Sequence, residues 1–270
     1  MIRVAIVGAA GRMGRMLVTG VMLDSELALS GALEYSGCPL LEQDAGVVAG
    51  QSAAGVRITD KIEDFIANTD AVIDFSSQAS TMALAPRLAA AGVNIAIGTT
   101  GLTDGDKAVL RSLTAAGAKI VQAPNMSIGV NLLFALCAKV APLLGEDYDI
   151  EVVEMHHNKK KDAPSGTAER LGEILAKARG LDYSHDTRHG RVGMVGARSK
   201  GEIGMHALRG GDVVGDHTVI FAAEGERVEL THKASSRETF AKGALRAVKF
   251  LATAKAGLYD MQDVLGLTDF

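Results

Sequence analysis

Cysteine is almost absent from this sequence of 270 residues, which contains only Cys38 and Cys137. The two lie far apart, and neither has a second cysteine at the short spacing used by disulfide frameworks or zinc sites. We therefore expect no disulfide and no metal centre built on cysteine. This usage is typical of a protein of the reducing cytoplasm, which is the compartment we predict.

An excess of one charge and long hydrophobic runs are also lacking. Lys and Arg number 28 against 32 Asp and Glu, so the formal net charge is -4. Nucleic-acid-binding domains usually carry a basic surplus, so we expect no nucleic-acid partner. The sequence has no unbroken apolar run of about 18 residues, and its short apolar start leads directly into glycines, unlike a signal peptide. We expect a soluble protein with no membrane span.

Short β-rich runs do occur in the first half, alternating with stretches rich in alanine and leucine. This order predicts an α/β fold, with a Rossmann-like parallel sheet covered by helices. We predict strands at 2–7, 27–33, 71–75, 94–97 and 119–122, and helices that include 11–23 and 81–91. Small or polar residues follow several of these strands. Because ligands bind at the carboxyl ends of parallel strands, these residues would line one crevice.

The sequence changes character after Asn125. A long apolar helix is predicted at 130–144, followed by strands near 150–155, 204–207 and 218–223, which indicates an α+β domain with a mixed sheet. Residues 181–200 show no periodicity and predict a long loop. Helical spacing returns at 240–256, which we expect to pack on the first domain. The predicted domains are a dinucleotide-binding domain at 1–127, completed by 238–270, and a substrate-binding and oligomerisation domain at 128–237.

Gly8, Gly11 and Gly14 follow the first predicted strand and open a predicted helix. Such glycines permit a tight turn, a close approach of the backbone to a pyrophosphate and close packing of helix on strand. Glu34 ends the next predicted strand, where a carboxylate can accept hydrogen bonds from an adenosine ribose. Glycine-rich turns also occur for packing alone, but with Glu34 the pattern favours dinucleotide binding.

The most unusual stretch is EMHHNKKKDAPSGTAE at 154–169, which invites two interpretations. One is a solvated basic loop. The other is a catalytic element, since histidine titrates near neutral pH and lysine offers a donor and a positive charge to an anionic substrate. His156 and His157 would point to opposite faces of a strand, so we expect no shared metal ion. Ser165 and Gly166 would begin a helix, whose free N–H groups can bind a carboxylate.

With these residues in place, the sequence resembles the 4-hydroxy-tetrahydrodipicolinate reductase (dihydrodipicolinate reductase) family of the diaminopimelate route to lysine. The resemblance covers nearly the whole chain. The stretches that carry it are VAIVGAAGRMGRM at 4–16, DFSS at 74–77, AIGTTGL at 96–102, APNMSIGVN at 123–131, EMHHNKKKDAPSGTA at 154–168, RGGDVVGDHTV at 209–219 and SSRETFAKGA at 235–244. The glycine turn is common to many dehydrogenases, whereas the HH-x3-K-x-DAPSGTA pattern is highly specific.

The resemblance implies an NADH- or NADPH-dependent reductase of a cyclic imine dicarboxylate that assembles as a homotetramer. It implies that His156 is the proton donor and acceptor and that Lys160 assists as a donor. Substrate binding is implied for His157, Lys160, Ser165, Gly166 and Thr167. Cofactor binding is implied for Gly8, Ala9, Ala10, Gly11, Arg12, Met13, Glu34, Gly98, Thr99, Thr100, Ala123, Pro124, Asn125 and Met126. No metal is implied.

Cofactor choice depends on the residues after Glu34. Many family members place an arginine there, which can pair with the 2′-phosphate of NADPH, but this sequence continues with Tyr35. Glu34 favours a free 2′-hydroxyl, whereas Arg12 and Arg15 offer guanidinium groups to a phosphate. We expect use of both cofactors with a preference for NADH. Two alternatives are another small Rossmann oxidoreductase and a dinucleotide sensor without catalysis; neither requires the cluster at 154–169.

Overall fold

The computed structural model describes residues 1–268. In chain order, the strands are β1 Ile2–Val7, β2 Leu27–Leu33, β3 Ile58–Thr59, β4 Ala71–Asp74, β5 Asn94–Ile97, β6 Lys119–Gln122, β7 Asp149–His156, β8 Thr187–His189, β9 Ile203–Arg209, β10 Gly215–Ala223, β11 Glu226–Ala234 and β12 Gly257–Tyr259. The helices are α1 Arg12–Leu23, α2 Ala45–Val48, α3 Gln78–Ala90, α4 Asp104–Ala115, α5 Ile128–Leu144, α6 Gly166–Arg179, α7 Tyr183–Asp186, α8 Glu238–Thr253 and α9 Met261–Leu265. Short 3-10 helices lie at Ile62–Asp64, Ile66–Asn68 and Gly145–Asp147.

The chain divides into two compact units. The first contains residues 1–128 and returns at 238, and the second is the continuous segment Gly129–Arg237. The first unit therefore consists of two separate parts of the sequence. The second is inserted between them.

The first unit is built on a seven-stranded parallel sheet in the order β12-β6-β5-β4-β1-β2-β3. Successive residues of a strand face opposite sides of the sheet, so β1 supplies both hydrophobic cores. Val4 and Ile6 pack with α1 and α8 on one side, whereas Ala5 and Val7 pack with α3 on the other. The chain runs outward from β1 in one direction and from β4 in the other. The carboxyl ends of β1 and β4 thus form a topological switch point.

The second unit contains a five-stranded mixed sheet in the order β11-β10-β7-β9-β8. Strand β7 is central, parallel to β9 and antiparallel to β10. Its residues alternate in burial, and Ile150 and Val152 join the helices α5 and α6 in one hydrophobic core. Glu154 and His156 continue the same buried face toward the carboxyl end of the strand. The strand period thus places two titratable groups on the packed side of the sheet.

The helical stretch Ile128–Asp147 is long and apolar enough, by length and composition alone, to cross a membrane. Asn131 and Lys139 interrupt its apolar sequence, which explains why no unbroken run was expected. Its inward residues, among them Phe134 and Cys137, are buried in the core of the second unit. Buried side chains of this kind are typical of a core helix.

The structure confirms the predicted α/β and α+β architecture, and five strands of the first sheet lie within a residue of their predicted bounds. The prediction of a long loop at 181–200 is wrong in part, because the segment contains a short helix and a short strand. Asp182 caps the short helix α7 through its side chain, and β8 then pairs with β9 at the edge of the sheet. The remaining connection begins at Gly190. Helix α4 and strand β11 were not predicted.

Candidate active site

The glycine turn after β1 has the backbone geometry that its sequence predicts. Gly8 has a φ of 76°, a left-handed conformation that glycine adopts without strain. A Cβ on Gly14 would lie 2.0 Å from the carbonyl oxygen of Gly8, so only glycine allows helix α1 to approach the turn this closely. Residues 8–13 therefore form a tight strand-to-helix turn at the switch point of the sheet.

Helix α1 begins with exposed Arg12, and no side chain caps its N-terminus. The first turn contains no acidic residue. Uncapped N–H groups and the helix dipole together attract an anion. These features fit the pyrophosphate of a dinucleotide.

Glu34 directly follows β2 and lies beside this turn. Its carboxylate accepts a hydrogen bond from the backbone N–H of Ala10 at 2.8 Å. Arg15 donates from Nε to the carbonyl oxygen of the same residue at 2.9 Å. Tyr35, the next residue after Glu34, is two-thirds exposed. The carboxylate of Glu34 and the guanidinium of Arg15 thus both fix the backbone of Ala10. The exposed ring of Tyr35 is available for stacking.

A buried polar network orders the loop after β5. Asp74, at the end of β4, accepts hydrogen bonds from the hydroxyl of Thr81 at 2.7 Å and from Ser76. The hydroxyl groups of Thr81 and Thr99 lie 3.1 Å apart, and all three of these threonine and aspartate side chains are buried. Gly98 packs on the ring of Phe75 so closely that a Cβ would lie 2.2 Å from it. Thr100 is exposed.

The loop after β6 lies at the same carboxyl end of the sheet. Ala123 and Met126 are buried, whereas Pro124 is exposed. Asn125 accepts a hydrogen bond from the N–H of Ser127 through its side chain, at 2.9 Å. All the residues predicted to bind cofactor therefore follow strands β1, β2, β5 and β6, at the carboxyl ends of one parallel sheet. The strand ends that were predicted to line one crevice thus belong to one sheet of the first unit.

A second cluster of predicted residues lies in the other unit, where His156 ends β7. Its Nδ1 is 2.5 Å from Oε2 of Glu154, two residues earlier on the same face of the strand. Arg209 pairs with His156 in the register of β7 and β9, and its guanidinium donates hydrogen bonds to both oxygens of Glu154, at 2.8 and 2.9 Å. Because an ionised carboxylate only accepts hydrogen bonds, this contact assigns the proton of a neutral His156 to Nδ1. In the neutral ring Nε2 is then the nitrogen without a proton, and it can accept one.

Burial and neighbouring charges shift the pKa values of this cluster in opposing directions. The pKa of His156 is lowered, first by burial and also by the charges of Lys160 and Arg209, while Glu154 acts in the opposite direction. Burial would raise the pKa of Glu154, but hydrogen bonds from Arg209 and His156 hold it below its ordinary value. Burial lowers the pKa of His217, whose ring packs edge-on against His156, to about 3. His217 is therefore neutral at physiological pH.

The serine-glycine-threonine turn forms the N-terminus of α6, as predicted. Ser165 is the N-cap residue, and its hydroxyl accepts a hydrogen bond from the N–H of Ala168 at 3.2 Å. The same hydroxyl is 3.1 Å from Nε2 of His217, and the N–H of Ser165 donates to Glu154 at 3.1 Å. Gly166 begins the helix, where a Cβ would meet no atom within 4 Å, and Thr167 follows it. The beginning of this helix is thus tied to the histidine cluster and has open space beside it.

The three consecutive lysines differ in burial. Lys159 and Lys161 are exposed, whereas the side chain of Lys160 is only 19% exposed and its Nζ lies 2.8 Å from the carboxylate of Asp162. His157, after the end of β7, is half-buried. In residues 1–268 no group of three or more His, Cys, Asp and Glu side chains could hold a metal ion.

The sequence motifs assigned no role to Glu154, Arg209 or His217. One signal was available for Glu154, since a residue two positions before His156 on a strand faces the same side. Arg209 and His217 come from other strands, and only the pairing of the sheet brings them to His156. No local spacing in the sequence contains that information.

Comparison with known proteins gives consistent results for both units. Residues 2–126 match the family model described as dihydrodipicolinate reductase, N-terminus, and residues 129–265 match the corresponding C-terminus. Proteins named 4-hydroxy-tetrahydrodipicolinate reductase from Geotalea daltonii and Hahella chejuensis are 47% and 49% identical over 267 residues. In each case the match covers 99% of this chain and 100% of the relative.

Solved structures of other proteins share the fold of this chain. A dipicolinate-bound dihydrodipicolinate reductase from Paenisporosarcina sp. TG-14 superposes with a TM-score of 0.79 at 26% identity, over 97% of this chain and 98% of that one. A probable dehydrogenase from Thermotoga maritima has a TM-score of 0.63 at 12% identity, over 98% and 93% of the two chains. The second likeness concerns the fold alone.

Proposed function

Because the chain belongs to the dihydrodipicolinate reductase family, we propose that it reduces 4-hydroxy-tetrahydrodipicolinate to tetrahydrodipicolinate in the diaminopimelate route to lysine. A nicotinamide dinucleotide supplies the hydride. The observation that carries the proposal is the arrangement around His156, where a buried and oriented histidine lies with Lys160 and the N-terminus of α6 in one unit. A hydride-transfer enzyme needs such residues to move a proton and to hold an anionic substrate.

In this proposal the first unit binds the cofactor. Residues 8–13, with the uncapped start of α1, contact the pyrophosphate, and Glu34 contacts the adenosine ribose. Gly98, Thr99 and Thr100, with residues 123–126, contact the nicotinamide half. The buried network of Asp74 and Thr99 supports this assignment, because it fixes the loop without using the exposed Thr100.

The second unit binds the substrate. His156 is the proton donor and acceptor through Nε2, and Lys160 assists as a donor. His157, Ser165, Gly166 and Thr167 bind a substrate carboxylate at the start of α6. The open space beside Gly166 supports this role, since a carboxylate can reach the backbone N–H groups there.

The test is consumption of NADH or NADPH by the purified chain when the condensation product of aspartate semialdehyde and pyruvate is supplied. We expect turnover with that substrate, and His156→Gln should lower kcat by about 100- to 10,000-fold, as expected for loss of a proton donor. Cofactor affinity should stay nearly constant. Turnover that survives this substitution would remove His156 from the proposed role, and absence of turnover in the unmodified chain would remove the function.

We further propose that the enzyme uses both cofactors with a preference for NADH. The carboxylate of Glu34 is held beside the glycine turn, where it would repel a 2′-phosphate dianion. The Nε atom of Arg15 is already used by the carbonyl of Ala10. The measurement is kcat/KM for NADH and NADPH at fixed substrate and salt, with Tyr35→Arg alongside, which should favour NADPH. A tenfold preference for NADPH in the unmodified chain, about 1.4 kcal/mol, would contradict this choice.

We also propose a cytoplasmic homotetramer that assembles through the second unit. The face of the mixed sheet opposite Ile150 and Val152 supports this proposal. It presents the apolar side chains Leu208 and Met155, which are neighbours in register, and Leu208 is 49% exposed. Apolar side chains that stay exposed on a sheet face are typical of contact surfaces between subunits.

A further inference from the structure

Glu154 is the most deeply buried carboxylate of the second unit, with only 1% of its surface exposed. A buried charge is stable only when its oxygens are fully hydrogen-bonded. Its Oε2 contacts Nδ1 of His156 and one nitrogen of Arg209. Its Oε1 accepts from the other nitrogen of Arg209 and from the N–H of Ser165. One side chain therefore joins three elements: β7, β9 and the N-terminus of α6.

We propose that Glu154 is a positioning residue for the reduction, which fixes the proton on Nδ1 of His156 and ties that ring to the helix start that receives the substrate carboxylate. The inference rests on the proposed function of His156 and deepens it. Glu154 does not touch the substrate. It acts through His156, whose Nε2 it leaves free to exchange a proton with the substrate.

The surroundings of His156 show why this carboxylate matters. Lys160, Arg209 and the ring of His217 all face His156, and His232 pairs with His217 on the neighbouring strand. Burial and the two cations favour a neutral ring. Glu154 is the anion that opposes them at 2.5 Å. Without it, His156 would lose its proton at a lower pH and would turn more freely in its pocket.

Arg209 has the opposite effect on the same ring, although it binds the same carboxylate. Its guanidinium lowers the pKa of His156, whereas Glu154 raises it. Replacement of the two residues should therefore move the titration of His156 in opposite directions. A role in packing alone would not give opposite signs.

The experiment compares Glu154→Gln with Arg209→Gln in the full chain. The pKa of His156 is measured by NMR from its ring proton, assigned through His156→Gln, and the pH profile of kcat/KM is recorded with NADH. For Glu154→Gln we expect a pKa lower by about 1 unit or more. Because His156 must be protonated to donate, the alkaline limb of the profile should move the same way. For Arg209→Gln both should move upward.

Glu151→Gln is the matched control. Glu151 lies on the same strand, contacts His206 at 2.6 Å and pairs with Arg191 and Arg198, but it faces the opposite side of the sheet. Its loss should leave the titration and the profile unchanged. Should Glu154→Gln not fold, Glu154→Asp takes its place, because the shorter side chain draws the carboxylate away from Nδ1 of His156 and should also lower the pKa of that ring.

The outcomes distinguish the positioning role from the proposed reaction. An unchanged His156 titration in Glu154→Gln, or equal shifts in Glu154→Gln and Glu151→Gln, would overturn the positioning role. The NMR readout does not need turnover. If the unmodified chain fails to oxidise NADH with the substrate while the His156 titration shifts as expected, the proposed reaction fails but the coupling of Glu154 to His156 stands.

Discussion

At the scale of single residues, the run of three lysines shows how burial distinguishes identical side chains. Lys160 is held beside Asp162 with most of its surface covered, and its ammonium group is close enough to His156 to influence the titration of that ring. Lys159 and Lys161 are exposed. A charge in water is screened and mobile, so its position contributes little to a site.

We therefore expect Lys160→Ala to lower kcat far more than Lys159→Ala or Lys161→Ala. Loss of a single well-placed donor should lower the rate by about 100-fold or more. The neighbouring variants serve as controls, because each removes the same charge from the same run. Steady-state kinetics of all three at saturating cofactor would decide the matter. Equal losses would mean that the run acts only as a diffuse positive charge.

At the scale of elements, the start of α6 combines a structural role with a proposed binding role. Ser165 caps the helix, while Gly166 leaves open space beside the first turn. Alanine favours helix more than glycine does by about 1 kcal/mol in a helix interior, so the glycine is not there for helix stability. Room for a ligand is the alternative reason.

Gly166→Ala should therefore raise the KM for the substrate, and weaken the binding of dipicolinate as a probe, without lowering the unfolding midpoint. Gly105→Ala is the control, because Gly105 lies in the first turn of α4 with its nearest contact at 3.6 Å. That variant should keep both constants unchanged. A methyl group at position 166 that has no effect on KM or on probe binding would exclude the start of α6 from the carboxylate site.

The elements also show what the sequence could and could not predict. Strands such as β1 and β5 were predicted because their apolar runs are short and are followed directly by glycine. Strand β11 was not, since its residues ERVELTHKA are mostly polar and exposed, and it forms by pairing with β10 along its whole length. Likewise, His156 and Lys160 were identified from a local motif. Arg209 and His217 required the strand order, which is a long-range property that no local spacing reveals.

At the scale of the whole molecule, the mixed sheet has one face in its own core and another that keeps apolar side chains exposed. We expect the purified chain to sediment near four times its mass of 28.1 kDa. Leu208→Glu places a charge on this outer face and should shift the distribution toward smaller species, because burying an unpaired charge is unfavourable. Analytical ultracentrifugation at several concentrations measures this.

Leu143→Glu is the appropriate control for assembly. Leu143 is 83% exposed near the end of α5, a helix that packs on the core face of the mixed sheet, so a charge there lies off the outer face and should leave the sedimentation coefficient unchanged. If both variants sediment as the unmodified chain does, the outer face of the sheet is not a subunit contact. A monomeric unmodified chain would exclude the tetramer itself.

The insertion of one unit within the other has a consequence for synthesis on the ribosome. Ala244, Val248 and Leu251 of α8 are fully buried in a core shared with Val4 and Ile6, so the first 128 residues cannot complete that core until α8 emerges. At typical translation rates the intervening segment takes about 5 to 20 s to make. The inserted unit is continuous in sequence, and it can finish folding while the unit that was begun first still waits for its last helix.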